Sequence, residues 1–398
     1  MSSIVGKIFS LSFAQQNVPQ LVGRKYIVTG GTNGIGLSVS RTLYSHGADV
    51  TILGSQQTTA DAAVAYIKTG ELARAPQDYQ DSFSGIRGTW TDNSADGAKE
   101  SGEVSARVVD FKDLKAVAKV AKDLAGSLDR LDGFLGIAGI GVNKFTLTDD
   151  GFDSHLTINV LAHQLLLSHL LPVLDKTSKA HPDADVRVVL EASELHRTTF
   201  GGPSESFGGD KFRTVDEFKK DVGQQNLYAR TKLAQILLTK ALVQRYLSPP
   251  SKIVGYSVHP GAVATDESSL LPLDLPPRLF AALPALEPDT VPSRSPQLRQ
   301  TRQYKEAYGN AVGGLVEAAV RPGMRAADEG ALSALWAATA PDARDPKYEN
   351  GTYFTDPAQK GGETSEASDQ ELIDNLWSTG LEVIKQVVGA ENVGNFKA

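Results

Sequence analysis

The chain of 398 residues contains no cysteine. Disulfides, thiolate metal ligands and cysteine nucleophiles are therefore all excluded, and the composition fits a reducing compartment. A basic excess is also missing, because 40 Lys and Arg stand against 47 Asp and Glu and give a formal net charge of −7 at pH 7. Nucleic-acid binding depends on a positive surface that contacts phosphates. We therefore expect no nucleic-acid partner.

Long hydrophobic runs are scarce as well. No stretch is apolar enough over a sufficient length to predict a transmembrane segment. Residues 1–20 lack the basic start and clean apolar core of a signal peptide. The histidines lack a carboxylate pattern such as HExxH, so we expect no metal site. These absences predict a cytoplasmic protein with a loose N-terminal arm, residues 1–20, ahead of a single domain, residues 21–398.

A glycine-rich turn is the most informative stretch that is present. The predicted strand 26–29 is followed by Gly30, Gly31, Gly34 and Gly36 and then by an amphipathic run. Strand, glycine turn and helix begin a dinucleotide-binding unit, in which backbone N–H groups at the helix N-terminus hold a pyrophosphate and a Cβ would block its approach. A plain tight turn is the alternative, but the position after the first strand favours cofactor binding.

Predicted strands alternate with predicted helices along the rest of the chain. The further strands are 49–54, 106–110, 133–138, 186–191, 252–258 and 351–354, and the principal later helices are 114–124, 152–174, 226–247, 329–340 and 372–388. This alternation predicts an α/β fold with a doubly wound parallel, Rossmann-like sheet in one domain.

Two segments interrupt the alternation. Residues 69–103 are rich in Gly, Ser, Asp and Gln, which predicts a surface-lying insertion. Residues 266–325 include seven prolines between Pro272 and Pro296, so this segment is no long regular helix. Because it follows the sixth strand, it is placed to cover the carboxyl ends of the sheet, where such folds bind ligands. We interpret it as a substrate lid, with a surface insertion as the alternative.

The end of the second strand bears on the choice of nucleotide. An acidic residue there would bind the ribose 2′-hydroxyl of NAD and repel a 2′-phosphate. This chain has Gly54, Ser55 and Gln56 instead, so we favour NADP(H) over NAD. Arg41 on the preceding helix is a conceivable phosphate partner, although we favour a solvated helix residue.

Four residues could form a reaction site. Tyr228 and Lys232 stand four apart on a predicted helix and share one face. An ammonium beside a phenol favours the phenolate and lowers its pKa, so this tyrosine could exchange a proton with an alcohol or carbonyl oxygen. Ser193, at the end of the fifth strand, could hydrogen-bond the same oxygen. Asn159, inside a long helix, could hold a water behind the lysine and complete a proton relay.

Together these motifs resemble the short-chain dehydrogenase/reductase family. The family's TGxxxGIG stands at residues 29–36, its YxxxK at Tyr228 and Lys232, its serine at Ser193 and its asparagine at Asn159. The resemblance implies that a nicotinamide dinucleotide is bound by Gly30, Thr32, Asn33, Gly34, Ile35, Gly36, Ser55, Asp110, Phe111, Ala138, Gly139, Tyr228, Lys232, Pro260, Gly261, Val263 and Thr265. In this scheme Asp110 contacts the adenine and the segment around Val263 and Thr265 holds the carboxamide.

The branch resembles retinol-dehydrogenase-like and fungal oxidoreductases, by the SxxH at Ser193 and the HPG at His259. That branch implies NADP-linked chemistry on lipophilic alcohols, aldehydes and ketones, often in fungal secondary metabolism, and homodimers are common in the family. Three features depart from the pattern. The NNAG after the fourth strand is GIAG at 136–139, which puts one sheet-stabilising set of hydrogen bonds in doubt. Ser55 replaces an expected arginine. Glu191 replaces an uncharged residue, and we favour a satisfied strand residue over a polar group in the substrate pocket.

The leading hypothesis is an NADP(H)-dependent oxidoreductase that interconverts a carbonyl and an alcohol on a lipophilic small molecule. A dinucleotide-binding sensor or scaffold without catalysis is the alternative from another class, favoured by the lost asparagines and the insertions. A third possibility is an enzyme of this fold that uses bound cofactor for a non-reductive rearrangement.

Overall fold

The computed structural model describes residues 13–82, 102–181, 183–197, 211–261, 263 and 325–396. These residues form one sheet in the order β3-β2-β1-β4-β5-β6-β7-β8. The strands are β1 Lys25–Thr29, β2 Asp49–Gly54, β3 Val104–Val108, β4 Gly133–Gly136, β5 Arg187–Glu191, β6 Val254–Val258, β7 Tyr353–Asp356 and β8 Gln359–Lys360. Every pair is parallel except β7 with β8. The predicted doubly wound parallel sheet is confirmed.

Helices cover both faces of the sheet. The described helices are α1 Gly34–Ser45, α2 Gln57–Thr69, α3 Gln77–Ser82, α4 Leu114–Ser127, α5 Ser154–Ala180, α6 Gln224–Leu242, α7 Ala327–Thr339 and α8 Gln370–Val388. One core cluster lies between the sheet and α1, α2 and α7, and the other lies between the sheet and α4, α5, α6 and α8. The strand order reverses between β1 and β4. A crevice therefore opens there at the carboxyl ends of the central strands.

Helix α5 is long and apolar enough, by length and composition alone, to cross a membrane. The expectation that no stretch of the chain has this length and composition is therefore wrong. Most of the helix is buried inside the protein, packed against α4 and α8. Core helices of soluble proteins commonly pass the same test, so this is weak evidence for a membrane span.

Two segments expected to lie loosely are packed where the structure describes them. In the N-terminal arm, Phe13 is buried and the Gln15 amide donates to Ser38 Oγ at 3.1 Å. After α2, the fully buried Tyr79 donates its hydroxyl to Asp328 at 3.0 Å, and Ser38 donates to the same carboxylate at 2.6 Å. The arm from residue 13 is therefore not loose, and α3 belongs to the core. Residues 83–101 and 264–324, with most of the predicted lid, lie outside the described residues.

At the centre of the sheet, hydrogen bonds to Thr29 hold the stretch 136–139, where GIAG replaces the NNAG of the family pattern. Thr29 Oγ1 accepts hydrogen bonds from the backbone N–H groups of Ile137 and Ala138, both at 3.0 Å, and lies 2.8 Å from His163 Nε2. A Cβ at Gly136 would lie 3.0 Å from the His163 ring and 2.5 Å from Leu190. The glycine therefore leaves room for the histidine, which reaches from α5 across β4 to β1.

Candidate active site

A cleft of about 520 Å³ runs along the carboxyl ends of the central strands. Most of the predicted cofactor residues line it, namely Gly30, Thr32, Asn33, Gly34, Ile35, Gly36, Ser55, Asp110, Phe111, Ala138 and Gly139. The lining also contains residues that the sequence did not indicate as cofactor ligands, among them Gln56, Lys112, Ile140, Asn143, Ile158 and Glu191. The cleft thus extends from the ends of β2 and β3, across β1 and β4, to β5.

The glycine turn has the shape that a pyrophosphate requires. Gly30 has φ +67°, a left-handed conformation that suits glycine. A Cβ at Gly36 would overlap the Gly30 carbonyl, so the turn can close tightly only with glycine there. Asn33 caps α1 by accepting a hydrogen bond from Gly34 N at 2.8 Å, and the first turn of α1 carries no acidic residue. The N-terminus of α1 faces the cleft with its positive dipole end, which fits an anionic diphosphate.

The β2 end of the cleft carries no carboxylate between Gly54 and Gln56. Lys112, two residues after Asp110, lines the cleft here, and its backbone N–H donates to Asp110 Oδ1 at 2.9 Å. Lys112 is a cation that we did not predict from the sequence, although its place just after β3 is readable there.

Arg41 is not the solvated residue that we had favoured. It is buried, and its guanidinium lies 5.1 Å from the centre of the Tyr66 ring.

Tyr228 and Lys232 lie on one face of α6, and both are buried. The Lys232 ammonium is 5.4 Å from the centre of the Tyr228 ring and donates to the Glu191 carbonyl at 2.9 Å. Ser193 follows β5 directly, in the stretch against which α6 packs. Its Oγ accepts from Leu195 N at 3.2 Å, which leaves the hydroxyl proton available to a ligand. Ser193, Tyr228 and Lys232 are not among the described residues that line the cleft, whose β5 end is lined by Glu191.

Asn159 lies in a π-helical turn of α5, Thr157–Leu161. Its side chain bonds both backbone groups of Ile140, at 2.8 and 3.1 Å, and donates to Thr231 Oγ1 at 2.9 Å. Its carbonyl accepts from His163 Nδ1 at 2.9 Å and from Gln235 Nε2 at 3.1 Å. Asn159 thus joins the loop after β4 to α6. These contacts do not support the expected hold on a relay water, and that role stays a prediction.

The surroundings of Glu191 contradict the interpretation that we favoured, a strand residue with satisfied hydrogen bonds. It is 2% exposed, and its Oε2 has no hydrogen-bond partner among the described residues. Burial raises the pKa of this carboxyl to about 7, and the charge of Lys232 opposes that rise only in part. Glu191 is therefore a polar group in the cleft rather than a satisfied strand residue.

The segment after β6 contains the predicted cofactor residues Pro260, Gly261 and Val263, which are not among the described residues that line the cleft. Gly261 has φ +87°, and the Pro260 carbonyl accepts from Arg325 Nη1 at 3.3 Å. Val263 pairs with Arg325 in a short parallel bridge and is buried. Thr265, the last predicted cofactor residue, lies outside the described residues. The fold and this site define an α/β protein of the dinucleotide-binding type, with the predicted catalytic residues Tyr228 and Lys232 near the β5 end of the cleft.

Comparisons with known proteins agree with this class. The family model described as KR domain matches residues 24–166. The chain is 26% identical over 391 residues to bli-4, a mitochondrial protein of Neurospora crassa assigned as an oxidoreductase, covering 97% of this chain and 77% of the relative. It is 29% identical to retinol dehydrogenase 11 of Mus musculus, covering 66% of this chain and 68% of the relative. The solved RhlG/NADP active-site complex of Pseudomonas aeruginosa shares the fold, with a TM-score of 0.51, 17% identity, and coverage of 84% of this chain and 95% of that one.

The motifs and these similarities together support the assignment of the chain to the short-chain dehydrogenase/reductase family of oxidoreductases.

Proposed function

We propose that the protein is an NADP(H)-dependent oxidoreductase that interconverts a carbonyl and an alcohol on a lipophilic small molecule. The observation that carries the proposal is the pairing of Tyr228 with Lys232 on α6, with the lysine bonded to the end of β5 where the dinucleotide cleft ends. The glycine turn and the N-terminus of α1 would hold the pyrophosphate, with Asp110 and Ser55 at the adenosine half.

The nicotinamide supplies or accepts the hydride when it is bound. Tyr228 would give a proton to the carbonyl oxygen, or take it from the alcohol. The adjacent Lys232 ammonium stabilises the phenolate electrostatically, which favours that exchange. Ser193 would donate a hydrogen bond to the same oxygen and fix its position. The burial of Tyr228 and Lys232 excludes water and strengthens these interactions.

The NADP preference is supported by the lack of a carboxylate at residues 54–56 and by Lys112 in the cleft. The name retinol dehydrogenase implies a lipophilic substrate for that relative, which supports the proposed substrate class. A place in fungal secondary metabolism, a cytoplasmic location and a homodimer remain part of the proposal.

The first experiment is to titrate the protein with NADPH and, separately, with NADH, following nucleotide fluorescence. We expect tighter binding of NADPH. A preference for NADH would overturn the nucleotide assignment alone, and the lack of binding of either nucleotide would refute the proposed function.

The second experiment is to compare Tyr228→Phe with Tyr246→Phe on a lipophilic ketone or alcohol that the wild type turns over. We expect Tyr228→Phe to lower kcat by about 10²- to 10⁴-fold while nucleotide binding persists, because a positioned acid/base is lost. Tyr246 is the matched control, since its ring stacks on Phe396 on the far side of the fold and a phenylalanine keeps that contact. Full activity of Tyr228→Phe would refute the catalytic assignment.

A further inference from the structure

The Glu191 carboxyl is a buried acid that lines the cleft. It is the last residue of β5, lies two residues before Ser193 and is 2% exposed. Its Oε2 is without a hydrogen-bond partner in the part of the chain that the structure describes, and the residue lines the cleft. Buried polar groups in folded proteins are generally bonded, and an exception calls for an explanation. A ligand in the cleft would provide one.

The strand order places Glu191 in one half of the cleft. The glycine turn follows β1, with β2 and β3 on one side and β4 and β5 on the other. A dinucleotide whose pyrophosphate lies at this turn has one nucleoside toward Ser55 and Asp110 and the other toward β5. Since Lys232 bonds the Glu191 carbonyl and pairs with Tyr228, the β5 half is the one where the reacting ring must lie.

Among the described residues, Lys232 of α6 is the charged group that acts on the Glu191 carboxyl. His259 follows Val258, the β6 residue paired with Glu191, and burial lowers the pKa of His259 to about 4. Burial likewise lowers the pKa of His163, on α5, to about 4. Both histidines are therefore neutral near pH 7, and Glu191 with Lys232 sets the local charge.

The inference that follows rests on the proposed function. We propose that Glu191 is an electrostatic positioning residue. When Glu191 is ionised, it makes the protein bind the oxidised dinucleotide in preference to the reduced one. The oxidised nicotinamide ring carries a positive charge that the reduced ring lacks. A buried carboxylate beside the ring stabilises the charged form strongly, because screening by water is weak there. When Glu191 is protonated this preference disappears, so the balance between oxidation and reduction follows pH.

The test measures dissociation constants for NADP⁺ and NADPH between pH 5.5 and 8.5, by fluorescence and calorimetry, on wild type, Glu191→Gln and Glu194→Gln. In the wild type we expect the ratio Kd(NADPH)/Kd(NADP⁺) to rise about tenfold across this range, which corresponds to roughly a one-unit shift of the Glu191 pKa on binding. Glu191→Gln should show a flat ratio. Glu194→Gln is the control, because that nearby carboxylate faces Arg197 and Tyr353 and should leave the rise intact.

Proton release gives a second readout that does not depend on turnover. Binding of NADP⁺ to the wild type at pH 7 should release a fraction of a proton. This release is measured as a difference in binding heat between buffers of different ionisation enthalpy, and Glu191→Gln should abolish the difference.

Glu191→Met, which removes the buried acid, replaces the glutamine variant if that variant does not fold. A ratio that is independent of pH, or equal in Glu191→Gln and wild type, overturns this proposal while the protein still binds nucleotide. The lack of any nucleotide binding overturns the proposed function instead. If the NAD pair binds more tightly, the same measurement is made with it.

Discussion

Replacing Thr29 by valine tests the hydrogen-bonded centre of the sheet. The Thr29 hydroxyl accepts from Ile137 N and Ala138 N. Because the Asn159 carbonyl can only accept, the neutral His163 ring carries its proton on Nδ1 and donates it there, and its Nε2 accepts from the Thr29 hydroxyl at 2.8 Å. Valine has nearly the same shape as threonine but leaves two backbone N–H groups and one imidazole nitrogen without a partner. At about 1–3 kcal/mol for each of these three groups, we expect a loss of about 3–9 kcal/mol in the free energy of unfolding.

Thr29→Ser is the matched control, because it keeps the hydroxyl and removes one buried methyl group, which costs about 1 kcal/mol. Guanidinium denaturation followed by circular dichroism measures both variants, and equal m-values show that the same surface unfolds. The reasoning is refuted if Thr29→Val is no less stable than Thr29→Ser. Nitrogen NMR of the imidazole provides an independent check, since the wild type should show the Nδ1–H tautomer.

Three further changes have defined outcomes. Asp153→Asn should lower the free energy of unfolding by about 3 kcal/mol in denaturant titrations, because the buried Arg230 guanidinium loses the charge of its partner at 3.0 Å. Gly36→Ala should weaken NADPH binding more than tenfold in fluorescence titrations, since its Cβ would overlap the Gly30 carbonyl and open the turn. Burial lowers the pKa of His163 to about 4 from 6.5, so the unfolded chain binds the extra proton. Stability should therefore fall by up to about 3 kcal/mol as the pH drops from about 6.5 to 4, and His163→Gln should lack this part of the slope.

The sequence determined the fold class and the position of the cleft that we propose for the cofactor. Periodicity of two in short β-branched runs and glycines at a strand-to-helix turn are local signals, because each depends on neighbouring residues. The doubly wound sheet and the glycine turn from Gly30 to Gly36 could therefore be predicted. The pairing of Tyr228 with Lys232 was also readable, since residues four apart on a helix share a face.

Contacts between distant segments were decided only by the tertiary structure. Nothing near Glu191 in the sequence shows that its carboxylate is buried, lines the cleft and has one oxygen without a partner among the described residues, because this depends on how β4, β6 and α6 pack around β5. The same holds for His163, whose bond to Thr29 spans 134 residues and makes use of the space left at Gly136. It also holds for Arg41, which a local pattern placed in solvent and the fold places over Tyr66. Local periodicity specifies which elements form, whereas burial and hydrogen-bond satisfaction are properties of the packed whole.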